Sequence, residues 1–407
     1  MDKDDRQQNM PEIQELDIPA PRAAEEPQAS SADPGKKHPK RLGTLVMILA
    51  AVLAVTVLTT MEDGRHFASL RRWLMYGDPG TSLNMYLYPP DKGNQWGLLG
   101  EDLLVASPNG VQLCKDDGST IYQIPLSAKE PSLSVGRDMA AVCDVGGKSV
   151  YILDRVGLRT TLKTEGDMRF YTARLNSKDI LTVTEEKSGY KTSVTVYDKD
   201  LEPMFHFDSH DSYLSDATVT DDGKYLVAVR MDTEGGMFTS RILVYDIATA
   251  EKVSDAPIKD GMVLELHTAG DKVLSLCDKR LMVTDLRGGT HLDRSYGSLY
   301  LHGCALGGKD FSALLLGRYQ SGNICTLTTY SMEGEEIASL ELTEEVLDMS
   351  AAGGDLAVLY SNSLVIYDKT LQEKARLEST DFAGHVQMAE NGTAVVIRGS
   401  SAQRFLP

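Results

Sequence analysis

The run HFDSHD places His206 and His210 four residues apart, with Asp208 and Asp211 beside them. On a helix that spacing would align two imidazoles for a divalent metal. The flanking residues read instead as the end of a strand and a loop, where the rings need not converge, so a solvated loop is expected. Thr220-Asp221-Asp222-Gly223 has the acidic look of a calcium loop, yet it lacks the alternating oxygen ligands and distal glutamate of one. A tight β-hairpin turn is expected there. Five cysteines, Cys114, Cys143, Cys277, Cys304 and Cys325, include no CxxC pair and make an odd total. Disulfides suit an extracellular chain, but buried free thiols are the expectation here, with a Cys114–Cys143 bridge as the sharper alternative.

No GxSxG, HExxH, Walker loop or GxGxxG occurs in the chain, which removes the common sequence signals of nucleophilic, zinc and nucleotide chemistry. Trp73 and Trp96 are the only tryptophans and no two cysteines are adjacent, which disfavours a quinoprotein dehydrogenase. With 59 acidic against 41 basic residues the net charge is −18, and such a surface repels the phosphates of a nucleic acid. No catalytic residue, cofactor or metal ligand is therefore assigned.

The elements that would position any site come from a repeat. A tight turn followed by an apolar strand recurs eight times, as in LGEDLLVAS from Leu99, DDGKYLVAV from Asp221 and GGDLAVLY from Gly353. Each is followed by an alternating strand that runs into another turn, as in VYILDRVG from Val150 and LVIYDKTL from Leu364. With Cys114, Leu153, Tyr197, Tyr245, Thr284, Tyr330, Tyr367 and Phe405 taken as equivalent, the steps are 39, 44, 48, 39, 46, 37 and 38 residues. Blades of about 40–45 residues with four strands each make a β-propeller. The expectation is an all-β, eight-bladed propeller over 82–407, with seven blades as the alternative. The last unit has only three strands, so the orphan strand from Asn84 to Tyr88 is expected to complete it and remove two exposed edges.

Upstream, residues 1–41 hold six prolines and no aromatic residue. Such a stretch cannot bury enough apolar surface to offset its ordering entropy and reads as a disordered tail. It ends in Lys36, Lys37, His38, Pro39, Lys40 and Arg41. Residues 42–60 follow as nineteen positions without a charge, about 28 Å as a helix, which suits one crossing of a bilayer. The basic residues before the span predict a cytoplasmic N-terminus and an extracytoplasmic propeller. Residues 61–81 are expected to form a juxtamembrane linker or short helix carrying Phe67, Leu70, Trp73 and Leu74.

Val219 to Val229 and the strand ends Tyr197-Asp198, Tyr245-Asp246 and Tyr367-Asp368 resemble the WD40-like and PQQ-like propeller superfamily. The order of basic segment, span, Trp73-containing segment and propeller, with Ala140 to Asp154 and Ser188 to Asp200, resembles an uncharacterised domain-of-unknown-function family of membrane-anchored propellers from Gram-positive anaerobes. The resemblance implies a fold and a location and supplies no mechanism.

In a four-stranded antiparallel blade the first and third turns share one face, and the second turns share the other with the connections between blades. The second turns are the longer and more varied, in Thr184 to Ser193, Arg230 to Ser240 and Gly317 to Cys325. They carry Tyr190, Met237, Phe238 and Tyr319 beside Glu185, Glu186, Asp232 and Glu234. Variable loops on a rigid scaffold are where binding concentrates, so these four residues are the candidate partner-binding set, and the acidic neighbours suit a cationic protein segment. The expected role is a non-catalytic binding or scaffold module of the cell envelope. Its partner would be an extracytoplasmic protein or cell-wall ligand, and the tail could meet a cytoplasmic one. The competing readings are an accessory subunit of an envelope complex and an enzyme acting on an extracellular glycan or peptide. The enzyme would require ionisable groups from several blades to converge on the channel axis.

Overall fold

The computed structural model describes residues 80, 82–258 and 261–407. The expected tail and span, and the linker apart from Gly80, lie outside the described residues. Thirty-two strands, and no helix among the described residues, form eight antiparallel four-stranded sheets. Blades 1 to 7 span residues 95–125, 131–163, 170–209, 213–258, 263–295, 300–342 and 346–378. Each takes four consecutive strands, counted here from innermost to outermost. Blade 8 has three, within 383–405, and its outermost strand is the opening segment Ser82–Leu87.

That opening strand pairs Ser82 with Phe405 and Leu87 with Ser401, so the expected ring closure occurs, two residues upstream of where the sequence placed its start. Tyr86 is fully buried in the closed blade. Its hydroxyl accepts a hydrogen bond from Nε of Arg404, 3.1 Å away. Arg404, at 0% exposure, also donates to Thr393 Oγ1 and to the backbone carbonyl of Glu101 in blade 1. A buried guanidinium with its donors satisfied fastens the last blade to the first.

The second and third strands are mostly buried on both faces, as runs of Leu, Val, Ile and Ala in blades 1, 2 and 7 and with Thr among them in blades 3 and 6, because each sheet is covered by a neighbour on either side. The eight positions aligned by period are structurally equivalent. In blades 1 to 7 each sits at a β-bulge where the third strand meets the outermost one. In blades 2 to 7 the residue after the bulge caps the turn. Asp198 Oδ1 accepts the amides of Asp200 and Glu202, and Asp246 and Asp368 do the same in their blades. The Tyr-Asp strand ends are thus turn-forming devices.

Candidate binding face and axial channel

Of the four candidate residues, Met237, Phe238 and Tyr319 are 57%, 63% and 71% exposed. The segment around the first two is not a loop, as expected from sequence, but an extension of the sheet. The second and third strands of blade 4, Tyr225–Glu234 and Met237–Asp246, pair along ten residues each. A two-residue turn, Gly235-Gly236, joins them with both φ values positive, the conformation a tight hairpin requires and glycine supplies without strain. Thr233 pairs with Phe238 at the tip. Asp232 in this hairpin is held by Arg230, 2.6 Å away, so part of the acidity read from sequence is neutralised within the blade.

Tyr190 differs from the other three. It is half-buried, stacks on His210 with ring centroids 4.3 Å apart and has Lys187 Nζ 5.5 Å from its centroid. Among the described residues no hydrogen bond or ring contact joins any two of the four. The HFDSHD segment is strand through Ser209. Nε2 of His206 lies 3.0 Å from Lys187 Nζ and 2.9 Å from Asp208 Oδ1, while His210 is occupied with Tyr190. The two imidazoles therefore do separate work, and among the described residues no three His, Cys, Asp or Glu side chains gather as a metal site. Thr220 to Gly223 form a hairpin turn, in which Asp222 Oδ1 accepts from Thr220 Oγ1 and the Lys224 amide. The five cysteines are free thiols, four of them buried. Burial pushes Cys143 and Cys277 up to about 12. Cys114 and Cys143 pack in different inter-blade layers.

Around the candidates, exposed apolar side chains collect on the same face. Tyr213, Leu264 and Tyr300 stand near the starts of the innermost strands of blades 4, 5 and 6, with Met262 and Leu299 in the connections before them and Ile324 in a second turn. Exposed apolar side chains gathered on one face are a feature of interaction sites.

The innermost strands supply what the sequence reading missed. In blades 3 to 8 each carries a β-bulge near its start. The residues directly after the bulges are Thr172, Asp216, Glu265, Gly303, Asp348 and His385, one level around the ring. Two residues further along lie Arg174, Thr218, His267, Ala305, Ser350 and Gln387, a second level. Strand alternation sends the intervening residues, among them Leu266 and Val386, into the inter-blade cores. The alternate set, polar apart from Gly303 and Ala305, lies on the other side of these innermost strands, with Asp216 and Thr218 buried.

Links between blades hold this set in place. Arg174 of blade 3 makes a two-pronged bond to Asp216 of blade 4, at 2.8 and 2.6 Å. Asp348 of blade 7 accepts the Val386 amide of blade 8 at 3.0 Å and lies 3.4 Å from His385 Nδ1. Trp96 of blade 1 stacks on His385 at 4.9 Å. Cys304 donates to Glu265 Oε2 at 3.6 Å. The hydrogen bond to Asp348 raises the pKa of His385 above its ordinary value. Burial lowers that of His267, which favours its neutral form. Asp216 and Asp348 are engaged in stitching blades together. Glu265 is exposed and, among the described residues, hydrogen-bonded only to the Cys304 thiol, with Arg174 and His267 near enough to feel its charge.

Residues 90–403 match a family of unknown function, DUF5711. The chain belongs to that family. None of the curated proteins matches it in sequence. Among solved structures, the fold resembles the computationally designed Ika8 protein, with TM-score 0.58, 13% identity, and 80% of this chain and 98% of that one covered. It also resembles the C-terminal WD40 domain of Sif2, with TM-score 0.57, 14% identity, and 81% and 100% covered. BamB from Moraxella catarrhalis follows with TM-score 0.53, 13% identity, and 81% and 100% covered. At these identities the likeness concerns the fold, a WD40-like and BamB-like propeller.

Proposed function

We propose that this DUF5711 chain is a non-catalytic binding module, held on the outer side of a membrane by residues 42–60, and that it recognises a protein on its second-turn face. The observation that carries this reading is the exposed apolar surface of blades 4 to 6, Tyr213, Met237, Phe238, Leu264, Tyr300 and Tyr319, around an axial mouth that holds Glu265. Apolar rings around a carboxylate suit a partner that inserts a lysine or arginine side chain between apolar neighbours. The uncharged span after a basic cluster supports the location.

Photo-crosslinking in living cells from positions 238 and 319, with mass spectrometry of the captured species, tests the binding reading. A discrete protein, captured from both positions and lost in a Glu265→Gln variant, is expected. Capture that is indifferent to Glu265, or no capture from either position, overturns it. The topology is tested with engineered cysteines at Ser31 and Ser361 and a membrane-impermeant thiol reagent. Only Ser361, exposed in a second turn, is expected to react in intact cells.

A second reading rests on the axis itself. Glu265, His267 and the Asp348–His385 couple stand on the innermost strands of blades 5, 7 and 8, the place where an enzyme would need ionisable groups from several blades to converge. Turnover of an extracellular glycan or peptide that is lost in Glu265→Gln, with the propeller intact, would select it over the binding module.

A further inference from the structure

Phe382, at 94%, is the most exposed of the large apolar side chains among the described residues. It stands in the connection between blades 7 and 8, where the backbone is fixed from three directions. The Ala383 amide donates to the Thr380 carbonyl at 3.0 Å and closes a four-residue turn with Phe382 in its third place. The Thr380 amide donates to the Asn362 carbonyl, in the second turn of blade 7, at 3.2 Å. Arg398 Nε, beside the second turn of blade 8, donates to the Asp381 carbonyl at 3.1 Å.

Phe382 has a φ of 62°. Its Cβ is crowded in that left-handed conformation, and the third place of such a turn is ordinarily filled by glycine or asparagine. Leu201 and Leu371 share the conformation in third turns, with φ values of 66° and 58°, but their side chains pack into inter-blade cores, which offsets the strain. Phe382 buries almost nothing within the chain. Neither the turn nor the core accounts for a phenylalanine here, and strain that the surroundings hold in place is a mark of functional positions.

Connections between blades share a face with the second turns, so Phe382 stands on the face of Phe238 and Tyr319. Blade 8 is four blades of eight away from blade 4, which puts Phe238 and Phe382 on opposite sides of the axial mouth. The chain enters the ring from the other face, since Ser82 opens an outermost strand at its third-turn end, opposite Phe405. An anchor at residues 42–60 therefore precedes the face turned away from Phe382, which favours a protein over the lipid of that membrane as its cover. Resting on the protein-binding reading above, we propose that Phe382 is a second anchor for the same protein partner, which lies across the axial mouth and offers an apolar pocket on either side of its basic side chain. Aromatic side chains seated in such pockets carry a large share of interface energy.

The test uses a photo-reactive phenylalanine analogue at positions 238, 319 and 382 of the full chain in living cells, with mass spectrometry of the captured species and of the partner peptides joined. One protein is expected from all three positions, with position 382 joined to a different stretch of it from position 238. Phe382→Asn, which suits the turn, is expected to lower capture from position 238 about tenfold and to leave the thermal midpoint of the purified chain unchanged or raised by a few degrees. Capture from 238 and 319 with none from 382, or with lipid or a second copy of this chain at 382, overturns this proposal alone. Undiminished capture from 238 in Phe382→Asn does the same, as does a midpoint lowered by several degrees, which would make the ring a part of the fold. No capture from 238 or 319 overturns the binding reading and this proposal with it.

Discussion

His385 holds its proton because Asp348 accepts it 3.4 Å away, and the ring is clamped from the other side by Trp96. The pKa is raised on folding, above the ordinary 6.5. The stabilising effect of the pair is therefore complete below that value and fades as pH rises through the folded pKa. Titration of the His385 Cε1 proton by NMR is expected to give a midpoint above 6.5 in the wild type, and Asp348→Asn is expected to bring it to 6.5 or below. Little of this could be read from the sequence. Asp348 and His385 are 37 residues apart, and only the blade period, applied to polar positions on the innermost strands, would have paired them. The same period links Arg174 to Asp216 and Glu265 to Cys304. It went unused for polar residues because a repeat is recognised by its apolar strands and glycine turns, which are identical in role from blade to blade. The axial residues vary from blade to blade, Asp216 and Asp348 alone sharing a type at their level.

Strands were legible where packing dictates them. The second and third strands of each blade are mostly buried on both faces, so their Val, Leu and Ile content follows from the fold and marks it in return. The uneven steps between units also have physical causes. The step of 48 residues from Tyr197 to Tyr245 contains the ten-residue pairing of Tyr225–Glu234 with Met237–Asp246. From sequence the polar stretch before Gly235 looked like an irregular loop, because a hairpin that projects beyond its neighbours has no core face to pattern. The projecting tip contributes surface rather than stability. Removing Thr233, Glu234, Met237 and Phe238 shortens both strands by two residues, which preserves which side chains face inward and keeps the Gly-Gly turn. The thermal midpoint of this variant is expected to stay within a few degrees of wild type, since exposed changes are worth about 0.5 kcal/mol or less. Capture of the partner from position 319 is expected to fall away.

At the scale of the molecule, eight unequal blades become one cooperative body because the first described strand is also part of the last blade. A chain starting at residue 80 and one starting at residue 89 differ only by that strand and its following residues. The longer is expected to unfold in a single urea transition. The shorter loses Tyr86 and Tyr88 from the core, at about 3–5 kcal/mol each, and exposes a full strand edge. It is expected to unfold at much lower urea or to self-associate, and a synthetic peptide of residues 80–90 is expected to restore the midpoint in part. Circular dichroism and light scattering report both outcomes.

The closing strand is also the route by which the chain leaves the propeller toward its N-terminus. Its pairing runs lengthwise, from Ser82 against Phe405 to Leu87 against Ser401. A tug on the chain at residue 82, with the ring held by a partner on the opposite face, would drag the whole ladder along its own axis and stretch its bonds together. The latch that shuts the ring is thus set in shear, like a bolt rather than a zipper, and the attachment point bears load best along the line in which the chain would be pulled.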